Sequence, residues 1–184
     1  DRNKYYLSIP NMEIRSIFTE QIMALFKEET IKDGETFREF CNALQTGNVE
    51  EVERLFNLYL SRTISIRDTF VKKTLKENFY HGILLGILGF KSGWYVKSNK
   101  ASGDGYSDIL IRIESEDIGI IIEVKYAEEE KYISACKDAL EQIKKGNYAL
   151  ELKEDGFHTI LNYGIACYKK KCRAVLEKEI FKNT

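Results

Sequence analysis

The chain has few of the residues that usually build a structural metal site, a disulfide framework or a membrane span. Its 184 residues include four scattered cysteines, two histidines and one proline. A structural zinc site needs four clustered Cys or His ligands, so these counts disfavour one. Free thiols in a cytosolic protein are the expected state of the cysteines. The longest apolar stretch, "GILLGILGF", is too short to span a bilayer, so we expect no membrane association.

The chain also lacks a surplus of charge of either sign. Its formal net charge is -1, so no overall basic field attracts nucleic acid or an anionic membrane. Any site for nucleic acid must therefore come from a local arrangement of charge. Hydrophobic residues make up 43% and charged residues 31%, which indicates a globular chain with a real core rather than a disordered one.

The first half of the chain has the periodicity of helices. Apolar side chains recur at helical spacing in four segments, and Asn11 and Asn48 can cap two of them. We predict helices over 11–27, from near Gly34 to just before Gly47, over 48–63, and from about Asp68 to Leu88. No chemistry is visible in the first three, which resemble a packed helical prefix.

The second half changes to strands that flank one amphipathic helix. The predicted strands are "GWYVKS", "SDILIRIE", "IGIIIEVKY" and two on either side of a basic turn in "HTILNYGIACYKKKCRAVLEK". Between them, residues 128–149 form a predicted helix whose inner face carries Ile133, Cys136, Ala139, Leu140 and Ile143. The order of helix, three strands, helix and strands predicts an α/β (α+β) fold, with a mixed sheet covered by helices.

Three charged residues stand out in the predicted strand pair. Strand side chains alternate between two faces, so Glu123 and Lys125 share one face of the sheet. A hairpin would bring Asp108, at the start of the preceding strand, opposite them. Two adjacent carboxylates repel each other, and a divalent cation such as Mg²⁺ removes that cost. A nearby lysine can stabilise charge that develops at phosphorus. The set suffices for metal-assisted phosphodiester hydrolysis, but from spacing alone a salt bridge at the sheet rim is the favoured interpretation.

The flanking helices add further polar candidates. Glu77 lies four residues before His81 on a largely apolar helical face, where a carboxylate is costly unless something pairs with it. A glutamate at the edge of the apolar stripe is the alternative interpretation. The helix after Lys125 carries Gln142, Lys144 and Lys145, which could meet phosphates or form an ordinary solvated face.

These segments, in this order, resemble the PD-(D/E)XK nuclease superfamily and its αβββαβ core. Within it, the chain is most similar to the nuclease-like domain at the C-terminus of bacterial proteins that have an AAA-ATPase-like N-terminal domain. The resemblance lies in "YYLSIPNMEIRSIF", "ENFYHGILLGILG", "GDGYSDILI", "GIIIEVKYA" and "ALEQIKKGNYA".

The resemblance implies roles for five residues. Asp108, Glu123 and Glu77 would bind Mg²⁺ or Mn²⁺, Lys125 would be the motif lysine, and Gln142 would lie near the site on the second core helix. Two details depart from the family pattern. Ser107 replaces the proline before the motif aspartate, and Tyr148 follows Gln142 by six residues rather than four.

The resemblance also implies a function and an organisation of the chain. It implies a metal-dependent nuclease domain at residues 65–184, of restriction-endonuclease-like fold, with DNA as the expected substrate. Residues 1–64 would be a helical extension that leads from an AAA-ATPase-like domain of the same bacterial, cytoplasmic protein. The alternative is a catalytically silent module that binds nucleic acid or regulates the attached ATPase, since the acidic "EEE" at 128–130 would repel a phosphate backbone.

Overall fold

The computed structural model describes residues 34–63, 73–100 and 106–181. The helix predicted over 11–27 lies outside these residues, and so does the beginning of the helix predicted from Asp68. The helices are α1 (Gly34–Thr46), α2 (Val49–Thr63), α3 (Lys73–Leu88), α4 (Tyr132–Gly146) and α5 (Tyr148–Glu154). The strands are β1 (Tyr95–Lys100), β2 (Tyr106–Ile113), β3 (Ile118–Tyr126), β4 (Thr159–Tyr168) and β5 (Lys171–Ile180).

The five strands form one mixed sheet in the order β1-β2-β3-β4-β5. Strands β3 and β4 are parallel, and the other neighbouring pairs are antiparallel. The parallel step requires a crossover, which α4 and α5 provide. The predicted α/β fold and its αβββαβ order are therefore confirmed, with the carboxyl ends of β3 and β4 side by side at one edge of the sheet.

The two faces of the sheet are covered by different helices, as the alternation in the strands predicts. Ile109, Ile111 and Ile113 of β2 pack into a core with α1, α2 and α3. Leu110, between them in the sequence, packs on the other face with Leu140 and Ile143 of α4. Because the side chains of β3 alternate in the same way, each polar residue near its carboxyl end lies on one face of the sheet or the other.

The single helix predicted over residues 128–149 is wrong in its bounds. Glu128–Glu130 form a separate 3-10 turn, and α4 begins only at Tyr132. At the other end α4 stops at Gly146, because Asn147 has a left-handed backbone with a φ of 55° and starts the short α5. The predicted inner face is also corrected at one position. Ile133 is 57% exposed, and Ala135 lies buried instead.

Helices α1 and α2 dock against the last two strands. The Tyr163 hydroxyl donates to the Leu44 carbonyl at 2.8 Å, and the Ala174 backbone N–H donates to Glu53 Oε1 at 2.8 Å. Asn48 caps α2 as predicted, with its side-chain oxygen 3.2 Å from the Glu51 N–H. The described part of the predicted extension thus shares a core with the sheet, while the boundary between residues 64 and 65 stays a prediction.

The four cysteines are buried and free. Burial raises the pKa of the Cys41 thiol to about 12 and that of Cys136 to about 11, which disfavours the reactive thiolate. Among the helices in the described ranges, none has the length and apolar character needed to cross a membrane.

Candidate active site

The register between β2 and β3 places Asp108 directly opposite Glu123. The Cα atoms of such partners lie about 4.5–5.5 Å apart in an antiparallel pair. The ladder between β2 and β3 ends at this pair, whereas β3 continues to Tyr126 beside β4. The two strands therefore diverge beyond the pair of Asp108 and Glu123, which leaves space between them for polar groups.

Glu123 is a buried carboxylate that is held by a lysine of its own strand. Its side chain is 2% exposed, and Lys125 Nζ lies 2.8 Å from Glu123 Oε1. Two residues apart on β3, both side chains point to the α4 face, as the alternation predicts. Burying a carboxylate is costly unless an opposite charge compensates, and Lys125 supplies that charge.

Gln142 of α4 completes this contact. Lys125 Nζ donates a second, short hydrogen bond of 2.5 Å to Gln142 Oε1. The ammonium is thus fixed between a strand carboxylate and a helix amide. The structure brings together Glu123, Lys125 and Gln142, three of the five candidate site residues identified in the sequence.

The close approach of α4 to the sheet depends on Gly164 of β4, the register partner of Glu123. A Cβ atom at Gly164 would clash with the Cys136 backbone carbonyl of α4. Sequence reasoning missed this residue. The signal was present, because a lone glycine inside the apolar strand "TILNYGIACY" often marks the close approach of another backbone.

Glu77 reaches the same edge of the sheet from α3. Its Oε1 accepts a hydrogen bond of 3.2 Å from the Tyr126 backbone N–H, beyond the last pair of the β2–β3 ladder. This contact explains how a carboxylate is tolerated on a largely apolar helix. His81, one turn further along α3, lies 3.4 Å from Ser98 Oγ of β1.

The other polar residues of α4 and α5 lie elsewhere. Lys144 forms an ion pair of 2.8 Å with Glu177 of β5, and Lys145 is exposed. Tyr148 belongs to α5, after the break at Asn147, and packs against the apolar cluster on that face. Neither Lys144 nor Tyr148 therefore joins the contact of Lys125 with Gln142.

The candidate ligands at this edge of the sheet are oxygen atoms, the type of ligand that a hard divalent cation prefers. Glu123 and Glu77 offer carboxylate oxygens at the same edge of the sheet, and the backbone register adds Asp108 opposite Glu123. Mg²⁺ and Mn²⁺ prefer such oxygen ligands and keep several waters. Among the described residues, no group of three or more His, Cys, Asp and Glu side chains is arranged to hold a metal ion.

Comparisons with known proteins bear on the same region. A family model of the PD-(D/E)XK nuclease superfamily matches residues 75–177, more than half of the chain. The match begins in α3, before Glu77, and ends in β5, so it includes every residue of the candidate site. No curated protein and no solved structure shows a significant match to the chain.

Proposed function

The chain belongs to the PD-(D/E)XK nuclease superfamily, and from this premise we propose that it is a metal-dependent nuclease domain that hydrolyses phosphodiester bonds of nucleic acid, with DNA as the expected substrate. One observation carries the proposal. Lys125 contacts both Glu123 and Gln142 at the end of β3, where Asp108 is the register partner of Glu123. The salt bridge of the alternative interpretation does form between Lys125 and Glu123, but Glu123 is buried and Gln142 joins the contact, neither of which an ion pair at an exposed rim requires.

Each residue has a distinct role in this proposal. Asp108, Glu123 and Glu77 bind Mg²⁺ or Mn²⁺, which when bound would act as a Lewis acid on the phosphate. Lys125 orients the attacking water and offsets the negative charge that develops on the phosphate oxygens. Gln142 holds the ammonium of Lys125 in position. The Tyr126 backbone N–H fixes the carboxylate of Glu77.

The wider organisation is part of the proposal. We expect residues 65–184 to be the nuclease-like domain and residues 1–64 a helical extension. We also expect an AAA-ATPase-like domain to precede them in a longer, cytoplasmic bacterial protein. The resemblance of several segments in order supports this expectation. Purification of that longer protein and measurement of its ATPase activity would test it.

The direct test is a cleavage assay with single- and double-stranded DNA and RNA, in Mg²⁺ or Mn²⁺ and in a chelator. We expect cleavage that needs the metal and that falls to background in Glu123→Ala and Lys125→Ala. Glu123→Gln, which keeps the side-chain shape, should be equally inactive. The matched control is Glu141→Ala, an exposed acid next to Gln142 on α4. Far-UV circular dichroism would establish that each variant is folded.

Equal cleavage by the wild type and Glu123→Ala would refute the proposal. A protein that binds nucleic acid, but neither cuts it nor binds Mn²⁺ at millimolar concentration in calorimetry, would instead be the silent module. Such a module is compatible with the exposed acids at 128–130, of which Glu129 is paired with Lys131 at 2.8 Å.

A further inference from the structure

A second group of charged side chains lies at the same edge of the sheet, on the α3 face. Lys76 Nζ lies 4.4 Å from the centre of the Tyr126 ring, and Lys169 Nζ lies 4.9 Å from the centre of the Tyr168 ring. The two rings are 5.5 Å apart. Two ammonium groups are therefore presented over adjacent tyrosines at the ends of β3 and β4, a set that we call the lysine–tyrosine cluster.

The fold fixes the position of this cluster relative to the candidate active site. Lys76 directly precedes Glu77 on α3, and Tyr126 provides the N–H that binds Glu77. Lys169 lies in the turn between β4 and β5, and its carbonyl accepts a hydrogen bond of 2.6 Å from the Tyr80 hydroxyl of α3. Helix α3 thus carries one lysine of the cluster and anchors the turn that carries the other.

The lysines of the cluster are not neutralised by acids. Within residues 34–63, 73–100 and 106–181, neither Lys76 nor Lys169 has an ion-pair partner, whereas Lys125 and Arg173 are paired with Glu123 and Glu53. Both ammonium groups are therefore available to an anionic ligand, although the acids at 128–130 follow β3 at the same edge of the sheet. Contacts of this kind supply most of the non-specific affinity for nucleic acid.

Tyr126 contacts Lys76 but is too buried to stack on a base. Tyr126 is only 6% exposed, so its ring is covered by the protein and by Lys76. A cation over an aromatic ring gains about 0.5–1 kcal/mol at an exposed site, which limits the freedom of the ammonium. The chemistry of the cluster fits the phosphates of a nucleic-acid backbone rather than the bases.

The cluster is also at a suitable distance from the site. Glu123 and Tyr126 are three residues apart on an extended strand, which corresponds to about 10 Å along β3, and their side chains lie on opposite faces of the sheet near its end. About three phosphates of one nucleic-acid strand lie within that length along the helix axis. A groove of ≈ 620 Å³ continues from the turn, and its charged lining consists of Lys170, Lys171, Arg173 and Glu130.

From these contacts we propose that Lys76 and Lys169 bind backbone phosphates of the nucleic acid to one side of the cleaved bond. This inference rests on the proposed function, because it assigns a binding surface to the same substrate. The surface is independent of base sequence. It places two lysines without acidic partners beside the candidate catalytic residues.

The test measures binding of the full chain to labelled DNA and RNA, single- and double-stranded, in a chelator so that no cleavage occurs. Fluorescence anisotropy over a range of salt gives Kd and its salt dependence. We expect Lys76→Gln and Lys169→Gln each to raise Kd about three- to tenfold. Each should also make the fall of the logarithm of the association constant with the logarithm of the salt concentration shallower, by about 0.9 on duplex or 0.7 on single strands. Lys169→Arg should keep the wild-type slope.

The matched control is Lys153→Gln. Lys153 Nζ also lies over an aromatic ring, 4.6 Å from the centre of Phe181, but at the opposite edge of the sheet, where β5 ends. Wild-type affinity and slope in both cluster variants, or an equal loss in the control, would overturn the inference and leave the proposed nuclease function standing. A wild-type chain that binds no nucleic acid would overturn both.

Discussion

At the scale of single residues, the contacts of Lys125 connect the two elements of the candidate site, β3 and α4. Its ammonium is shared between the Glu123 carboxylate and the Gln142 amide, and it is 20% exposed. An ammonium held by two acceptors loses much of the freedom that a lysine side chain has on a surface. Gln142 therefore acts through Lys125, and its contribution should appear in the rate of the reaction rather than in substrate binding.

The first prediction concerns this positioning role. We expect Gln142→Ala to lower kcat by about 10- to 100-fold, the usual cost of removing a group that orients a catalytic residue, with little change in KM. Steady-state cleavage kinetics measure both. Gln142→Asn, which keeps the amide on a shorter side chain, should recover part of the rate. An unchanged kcat in a folded Gln142→Ala variant would remove Gln142 from the site.

At the scale of elements, α4 lies close to β4 because Gly164 has no side chain. Gly164 faces the Cys136 carbonyl, so the helix lies close enough for Gln142 to reach Lys125. A larger residue at position 164 must push the helix outwards or bend the strand. The geometry of the site is therefore coupled to the packing of a residue that does no chemistry.

The second prediction follows from this packing. We expect Gly164→Ala to lower the free energy of unfolding by about 1–3 kcal/mol, as overpacking usually does, and to reduce cleavage as Gln142 moves away. Urea unfolding measures the first effect. The control is Gly82→Ala in α3, where an added Cβ meets nothing within 4 Å and should stabilise the helix by about 0.5–1 kcal/mol. A stabilised Gly164→Ala would contradict the close-packing argument.

The sequence predicts much of the fold because strand alternation is a strong signal. It gives β3 its bounds, the faces of Ile109 and Leu110, and the shared face of Glu123 and Lys125. The αβββαβ order follows from the same pattern. These features depend on period and spacing, which a single chain displays.

The rest depends on contacts between distant segments, which periodicity does not encode. The hydrogen bond from Tyr126 to Glu77 joins residues 49 positions apart. The exposure of Ile133 and the break at Asn147 reflect the place where α4 meets the sheet. The lysine–tyrosine cluster combines α3, β3 and the β4–β5 turn, so neither of its lysines is distinctive in the sequence.

At the scale of the whole molecule, the two helices before α3 share the core of the sheet. Phe56 of α2 is 1% exposed and belongs to the same buried cluster as Trp94 and Ile122. Its ring stacks on Phe40 of α1, with 6.0 Å between ring centres. Although residues 34–63 precede the region of the family match, they are packed as part of one core with it.

The third prediction uses the single tryptophan as a probe. Trp94 is 9% exposed and lies far along the chain from α2. We expect Phe56→Ala to lower the free energy of unfolding by about 3–5 kcal/mol and to shift the Trp94 fluorescence transition by the same amount as the far-UV circular dichroism transition. A Trp94 transition that stays in place would show that α1 and α2 unfold separately from the sheet.

The docking of α2 on β5 has a consequence for how the protein is made. The hydrogen bond between Glu53 and Ala174 joins residues 121 positions apart. At about 5–20 residues per second, a ribosome would need about 6–24 s to add the intervening chain. During that interval β5 is absent, so the face of α2 that packs on it lacks its native partner. Folding of this core is completed only after the final β-hairpin emerges.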